Sequence, residues 1–174
     1  MTASLAYPEG FMRVREALAV LGHPHAPRWL EVPARTSQEA AEALGVTVAQ
    51  IAKSVVFRRV DAQGADDAAV LVVTSGDKRV DEKRVAALVC TGGTRLARAD
   101  APFVKARTGF SIGGVAPLAH HQAPVLLIDR ELFRFEEIWA AAGHPNGVFK
   151  LAPADLTRLT GGAPVADVVL QALA

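Results

Sequence analysis

The stretch 53–74, KSVVFRRVDAQGADDAAVLVVT, predicts two β-strands joined by a polar loop. Its apolar runs at 53–59 and 69–74 are rich in valine, whose branched side chain favours strands. The residues between them, 61–67, are mostly Asp, Ala, Gln and Gly, a composition typical of a connecting loop. The stretch therefore predicts an antiparallel hairpin with a long connection.

Helical signals lie on both sides of this hairpin. Apolar residues recur at three- and four-residue spacing near the N-terminus. Thr36 and Glu39 form a capping-box pattern, and Asp81 and Asp100 stand where helix N-caps belong. These signals predict helices at 9–21, 36–44, 81–89 and 100–109. A further helix is predicted at 153–160, beginning at Pro153.

Further short strands are predicted at 29–32, 125–129, 147–151 and 165–168. The segment 136–142 is ambiguous, because its alanines favour a helix whereas its short length allows a strand. Helices and strands are mixed without strict βαβ alternation. The expected fold is therefore α/β with a mixed, largely antiparallel sheet, and the expected organisation is one domain over residues 1–174.

Composition excludes several classes of protein. The 174 residues are 51% hydrophobic with a formal net charge of +1, which is ordinary for a globular chain and does not demand nucleic acid. Cys90 has no second cysteine to pair with, and we expect it to pack in the core. No membrane-length apolar run or signal peptide is visible, so we expect a cytoplasmic protein without a membrane partner.

Histidine is the only residue type that clusters enough to suggest a metal. His23 and His25 flank a proline, and His120 and His121 are adjacent, but no further ligand stands at the spacing of a metal site. We expect these histidines to lie in surface loops. The sequence therefore predicts no metal and no other cofactor.

The stretch 108–117, TGFSIGGVAP, predicts a loop that presents backbone N–H groups. The adjacent Gly113 and Gly114 permit conformations closed to other residues, and Pro117 stiffens the exit. Such a loop is either a tight turn or a cradle for an oxygen atom of a ligand. Lys53 is open to two interpretations in the same way. It is either a surface lysine at a strand end or a positive charge that holds a substrate oxygen.

A third constellation competes with these two. Residues 109–113 match the nucleophile-elbow pattern Gly-x-Ser-x-Gly around Ser111, and Asp129 and His144 follow in the chain order of a hydrolase triad. That pattern requires a strand before the serine and a helix after it, whereas a helix is predicted before Gly109. A serine esterase that uses Ser111 remains an alternative.

Three motifs, taken together, resemble one known family. The stretches QIAKSVVF (50–57), GDKRVD (76–81) and TGFSIGGVAP (108–117) resemble the YbaK/prolyl-tRNA-synthetase-associated domain family, over about residues 13–168. The resemblance implies a barrel-like, mixed sheet flanked by helices, in which 136–142 is a strand. It also implies an aminoacyl-tRNA deacylase that edits misacylated tRNA in trans as a free-standing protein.

The resemblance also implies a site without metal or protein nucleophile. Lys53 matches the lysine of the family, and Gly113 and Pro117 match its Gly-x-x-x-Pro loop, whose amides would hold the aminoacyl carbonyl. We expect Lys53, Gly113 and Gly114 to be catalytic. The expected substrate-binding residues are Ser54, Ser111, Val115, Ala116, Pro117, Asp129, His144 and Asn146.

The substrate follows less closely from the resemblance. The alanine-editing branch has asparagine where this chain has Ser54, and the residues at 147–150 do not match the cysteine-editing branch. We therefore expect a small amino acid such as serine, threonine or alanine. The implied partner is the acceptor end of misacylated tRNA, with tRNA-Pro as a candidate and transient contact with a synthetase or elongation factor. DNA is not an expected partner, and a non-catalytic module that binds the aminoacyl end is a second alternative.

Overall fold

The structure is a computed structural model that describes residues 6–171, in which five α-helices flank eight β-strands. The helices are α1 (Glu9–Val20), α2 (Ser37–Leu44), α3 (Glu82–Val89), α4 (Ala101–Thr108) and α5 (Pro153–Leu159). The strands are β1 (Arg28–Trp29), β2 (Ile51–Val60), β3 (Asp66–Ser75), β4 (Arg95–Arg98), β5 (Val125–Asp129), β6 (Ile138–Ala141), β7 (Gly147–Leu151) and β8 (Val165–Ala166). Short 3₁₀ turns cover Val48–Gln50 and Arg130–Arg134.

All eight strands belong to one mixed sheet. Its order is β1-β7-β6-β2-β3-β5-β8, and β4 pairs with β2 off this path. The pairs β1–β7, β6–β7, β2–β3 and β2–β4 are antiparallel, while β2–β6, β3–β5 and β5–β8 are parallel. The mixed, largely antiparallel sheet flanked by helices is therefore confirmed, although the sheet is open and does not close into a barrel.

The predicted hairpin forms the centre of the sheet. β2 and β3 pair from Ala52 and Ser75 at one end to Val60 and Asp66 at the other. The side chains of Val70–Val73 are fully buried, which explains why β3 is a continuous apolar run instead of an alternating one. β2 begins two residues earlier than predicted, so Lys53 is the third residue of the strand.

Strand pairing along one edge of β2 is interrupted. On the side away from β3, β2 pairs with β6 at Ile51 and Ala52 and with β4 from Phe57 to Val60. Among the described strands, none pairs with residues 53–56 on that side. β6 therefore diverges from β2 beside Lys53 and leaves an opening in the sheet.

The predicted capping residues lie at the ends of the helices as expected. Thr36 Oγ1 accepts a hydrogen bond from the Glu39 N–H at 3.1 Å, and Asp100 Oδ1 accepts one from the Phe103 N–H at 2.9 Å. Gly109 ends α4 with a φ of +82°, a conformation that favours glycine. A helix therefore precedes the loop at 108–117, as predicted.

The strand that the family resemblance implied within 136–142 is present as β6. Its alanines form a strand because Ala140 pairs with Ala52 of β2 on one side and with Phe149 of β7 on the other. β4 was not predicted, and the predicted strand at 29–32 shrinks to Arg28–Trp29.

Two smaller expectations differ from the structure. His23 is not in a surface loop, because it is buried and its Nε2 lies 2.8 Å from the Lys150 carbonyl oxygen. Cys90 is only half-buried at the edge of the core.

Candidate active site

A cavity of about 500 Å³ lies where β6 diverges from β2. Its walls come from residues 51–54 of β2, residues 139–141 of β6, the segment 34–38 before and within α2, and the loop residues Ile112, Gly113 and Val115. Of the predicted site residues, four line it: Lys53, Ser54, Gly113 and Val115. The fold therefore brings the predicted lysine and the glycine-rich loop to one cavity from positions 60 residues apart (113 − 53).

Lys53 presents a half-buried ammonium group to this cavity. Its Nζ donates a hydrogen bond to the Lys78 carbonyl oxygen at 2.6 Å, and an ammonium has three donors, so two hydrogens remain for a ligand. Burial lowers the pKa of Lys53 below its ordinary value, and the Asp77 carboxylate opposes this shift. The Arg79 guanidinium lowers the same pKa further, while the Asp129 carboxylate raises it.

Asp129 supports Lys53 from behind and does not line the cavity. The Thr74 hydroxyl donates to Asp129 Oδ2 at 2.7 Å, and the Glu131 N–H donates to Oδ1 at 2.9 Å. Thr74 is the residue of β3 that pairs with Lys53. The fully buried Asp129 carboxylate is thus satisfied by its own neighbours and adds negative charge near the Lys53 ammonium.

Ser54 contributes a hydroxyl that has no protein partner. Its Oγ is buried and makes no hydrogen bond within residues 6–171. Successive residues of a strand point to opposite faces, so Lys53 and Ser54 approach the cavity from opposite faces of the sheet. A buried polar atom without a partner is costly, and the Ser54 hydroxyl bears this cost behind the cavity wall.

The loop at 108–117 lines the same cavity through Ile112, Gly113 and Val115. Gly113 has a φ of +92°, and the Gly114 N–H turns back to donate to the Ser111 carbonyl oxygen at 3.0 Å. The N–H groups of Gly113 and Val115 donate to no protein acceptor within the described part of the chain. Gly113 lies inside this turn and Val115 directly follows it, so both N–H groups are unpaired in residues that line the cavity.

The other predicted loop residues lie behind this wall. A Cβ at Gly114 would fall 2.7 Å from His144 Cα, so the loop backbone packs directly against the turn that contains His144. Ala116 is fully buried, and its carbonyl oxygen lies 2.7 Å from His120 Nε2. Gly114, Ala116 and Pro117 do not line the cavity, and they position the residues that do.

His144 and Asn146 also stand outside the cavity. The His144 ring stacks on Trp29 with ring centroids 4.9 Å apart, and the Asn146 side-chain amide donates to the Leu30 carbonyl oxygen at 2.8 Å. Burial lowers the pKa of His144 below its ordinary value, and Arg35 lowers it further. These contacts fix Trp29 and Leu30 in the segment that leads to α2. Both residues therefore support the cavity wall without lining it.

The three residues of the alternative serine triad are not assembled. Ser111 is exposed, and its carbonyl oxygen closes the turn to Gly114. Asp129 is satisfied by Thr74, and His144 Nδ1 accepts the Asn146 N–H at 3.1 Å. Within residues 6–171 no hydrogen bond joins any two of the three, and the preceding α4 is the wrong element for a nucleophile elbow.

Sequence reasoning missed two important contributors to the cavity. Gly76 lines it, and a Cβ there would collide with the Val48 carbonyl oxygen, so only glycine fits. Trp139 lines it from β6, and its Nε1 is buried without a hydrogen-bond partner in the described residues. Gly76 stands in one of the three family-like motifs, whereas Trp139 lay in the segment whose secondary structure was ambiguous.

Between residues 6 and 171, no group of three or more His, Cys, Asp or Glu side chains is arranged to hold a metal ion. Within the same residues, every helix is too short or too polar to cross a membrane.

Comparison with known proteins gives consistent matches. The model of the aminoacyl-tRNA editing domain matches residues 31–159, a range that contains every residue lining the cavity. The chain is 32% identical over 130 residues to the uncharacterized protein YwhH of Bacillus subtilis (strain 168), covering 75% of this chain and 78% of that one.

Solved structures also match over nearly the whole chain. A crystal structure of a candidate trans-editing enzyme for prolyl tRNA synthetase has a TM-score of 0.82 at 36% identity and covers 95% of this chain and 100% of its own. The crystal structure of hypothetical protein APE2540 has a TM-score of 0.78 at 30% identity and covers 91% and 99%.

Proposed function

The chain belongs to the aminoacyl-tRNA editing domain family, and we propose that it hydrolyses the aminoacyl ester of misacylated tRNA. The observation that carries the proposal is the presence of two kinds of donor at one cavity. These are the Lys53 ammonium and the N–H groups of Gly113 and Val115, which donate to no acceptor in the described part of the chain. Such a set is suited to an ester, whose carbonyl oxygen gains negative charge during hydrolysis.

The shape of the cavity supports a small aminoacyl group. Its volume of about 500 Å³ is within the usual range for small-molecule sites, and most of its inner lining is apolar. In this proposal the amino-acid side chain enters the apolar end, and the terminal adenosine of the tRNA stays towards the mouth.

The proposed chemistry needs only positioning and charge stabilisation. A water molecule attacks the ester carbonyl carbon, and the developing oxyanion receives hydrogen bonds from the Gly113 and Val115 amides. The bond between that carbon and the ribose oxygen then breaks. The proton lost by the water passes to the departing ribose oxygen, with the neighbouring ribose hydroxyl as the relay. Free amino acid and uncharged tRNA are the products.

Lys53 holds the substrate in this scheme. Its two remaining N–H donors and its positive charge bind a substrate oxygen near the ester. The Asp129–Thr74 pair keeps the lysine and its strand in place. A neutral side chain at this position would keep the packing but lose the charge.

The proposed partner is the acceptor end of a misacylated tRNA. The candidate trans-editing enzyme for prolyl tRNA synthetase is matched along its whole length, which supports action in trans by one editing domain over residues 1–174 and makes tRNA-Pro the first tRNA to test. Transient contact with a synthetase or an elongation factor would bring such a substrate to the cavity.

The test is hydrolysis of a panel of charged tRNAs. Purified protein is mixed with tRNA-Pro that carries labelled serine, threonine, alanine, cysteine or proline, and released amino acid is followed with time. The proposal predicts turnover of at least one misacylated species and little release of proline. Binding of the charged tRNAs without release of any amino acid would instead identify a non-catalytic binding module.

A further inference from the structure

A second cavity, of about 330 Å³, lies beside the candidate active site. It is lined by residues 53 and 55–57 of β2, residues 98 and 99 at the end of β4, and residues 79, 80 and 82 around the start of α3. We call this cavity the arginine groove. Lys53 lines both cavities, and the groove follows the part of β2 that pairs with neither β6 nor β4. The two cavities are therefore neighbours along one strand and meet at Lys53.

Two arginine side chains of the groove have no partner in the described part of the chain. Arg79 and Arg98 are exposed, and within residues 6–171 neither guanidinium makes a hydrogen bond or an ion pair. With Lys53 they place three positive charges at a cavity whose lining contains one carboxylate, that of Glu82. The Arg79 guanidinium also lowers the pKa of Lys53, so these two like charges repel each other across the groove. A bound anion relieves this repulsion.

The floor of the groove is apolar. Val55, Phe57, Val80 and Ala99 line it between the charged side chains. An apolar floor with a positively charged rim is typical of grooves for single-stranded nucleic acid, in which the cations follow the phosphates and the bases lie on apolar or aromatic side chains. The volume of the groove is near the lower end of the range for small-molecule sites, which suits about one nucleotide.

We propose that the arginine groove binds the nucleotide that precedes the terminal adenosine of the substrate, with Arg79 and Arg98 on its phosphates. The inference rests on the proposed deacylase function and adds a subsite for the RNA strand. The terminal adenosine lies beside Lys53, where the two cavities meet, and the strand leaves along β2 towards β4. Phosphate contacts position a strand without reading its sequence, so the groove serves acceptor ends of different tRNAs equally.

The first experiment measures the affinity of a short single-stranded RNA that ends in CCA, over a range of salt concentrations. Arg79→Gln and Arg98→Gln each remove one charge, and each should weaken binding about threefold to tenfold. Each should also make the slope of log K against log salt shallower by about 0.7, the value for one phosphate contact to a single strand. Arg15→Gln is the matched control, because Arg15 is exposed on α1 and lines neither cavity. Equal affinities and slopes in all four proteins would overturn the proposal, as would binding of a polyglutamate peptide in place of the RNA.

The second experiment separates the groove from the ester site. On a charged tRNA, both groove variants should raise KM about threefold to tenfold and leave kcat near the wild-type value. On the aminoacyl ester of adenosine alone, which lacks the preceding nucleotide, they should match the wild-type protein. Equal losses on both substrates, or no loss on the charged tRNA, would overturn the groove while leaving the deacylase function standing. Absence of hydrolysis on every charged tRNA would overturn the deacylase function, and the RNA-binding measurement would still decide for or against the groove.

Discussion

Replacing Gly113 with alanine tests whether the loop amides take part in hydrolysis. An added Cβ would lie 3.6 Å from the nearest atoms of Arg35, so the methyl group itself fits. The difficulty is the backbone, because Gly113 has a φ of +92° and L-residues with a side chain disfavour that region. The chain must either bear this strain or turn the peptide at Gly113 and move its N–H out of the cavity.

The magnitudes of the two effects can be separated. Holding alanine at a left-handed φ costs about 1–2 kcal/mol. For a protein of this size, 1 kcal/mol lowers Tm by about 2–4 °C, so Tm should fall by no more than about 8 °C. Loss of one backbone donor to an oxyanion costs about 10²–10³ in rate. We therefore expect Gly113→Ala to lower single-turnover deacylation about a hundredfold while most of the thermal stability remains.

Gly64→Ala is the matched control for backbone strain. Gly64 has a φ of +82° in the loop between β2 and β3, and an added Cβ there meets no atom within 4 Å. It should lower Tm by a similar amount and leave the rate of deacylation unchanged. A folded Gly113→Ala protein with the wild-type rate would refute the assignment of the loop amides.

Three other outcomes are expected. Gly114→Ala should destabilise the protein by about 1–3 kcal/mol in urea unfolding, because its Cβ would lie 2.7 Å from His144 Cα; an unchanged midpoint would contradict this packing. Burial lowers the pKa of His120 below 6.5 in the folded protein. The neutral imidazole therefore contributes its full stability above pH 6.5, and this contribution is lost as the pH falls from 6.5 towards the pKa of the folded state. Tm should accordingly fall on acidification, and His120→Gln should flatten this dependence; an equally steep profile in the variant would rule His120 out as its cause. Deacylation should survive exhaustive EDTA treatment, because the described residues contain no group of metal ligands, and restoration of a lost activity by Zn²⁺ would reverse that prediction.

The local signals of the sequence predict most of the fold. Thr36 and Asp100 cap helices through their own side chains, and valine-rich runs form the central hairpin, because these preferences act between neighbours in the chain. β4 was missed because Arg95–Arg98 is a strand only through its pairing with β2. β6 also depends on its neighbours in the sheet. Its alanines favour a helix, but they form a strand because β6 pairs with β2 on one side and with β7 on the other.

The sequence likewise indicated some residues of the candidate site and missed others. The family-like motifs pointed to Lys53 and the glycine-rich loop, which the fold brings to one cavity. They did not separate Gly113, which lines the cavity, from Gly114, which packs against a neighbouring turn. Trp139 was not predicted, because a buried tryptophan looks the same in sequence whether or not its indole nitrogen finds a partner.

The most direct test of the account compares Lys53→Met with Ser111→Ala on the misacylated tRNA that the wild-type protein hydrolyses best. A hydrogen bond from a charged group is worth about 1.5–3 kcal/mol, so loss of the Lys53 ammonium should lower the rate about tenfold to a hundredfold. Ser111 lies outside the cavity, and its loss should cost about tenfold or less, the scale of one neutral hydrogen bond. An inactive Ser111→Ala protein beside an active Lys53→Met protein would contradict the account.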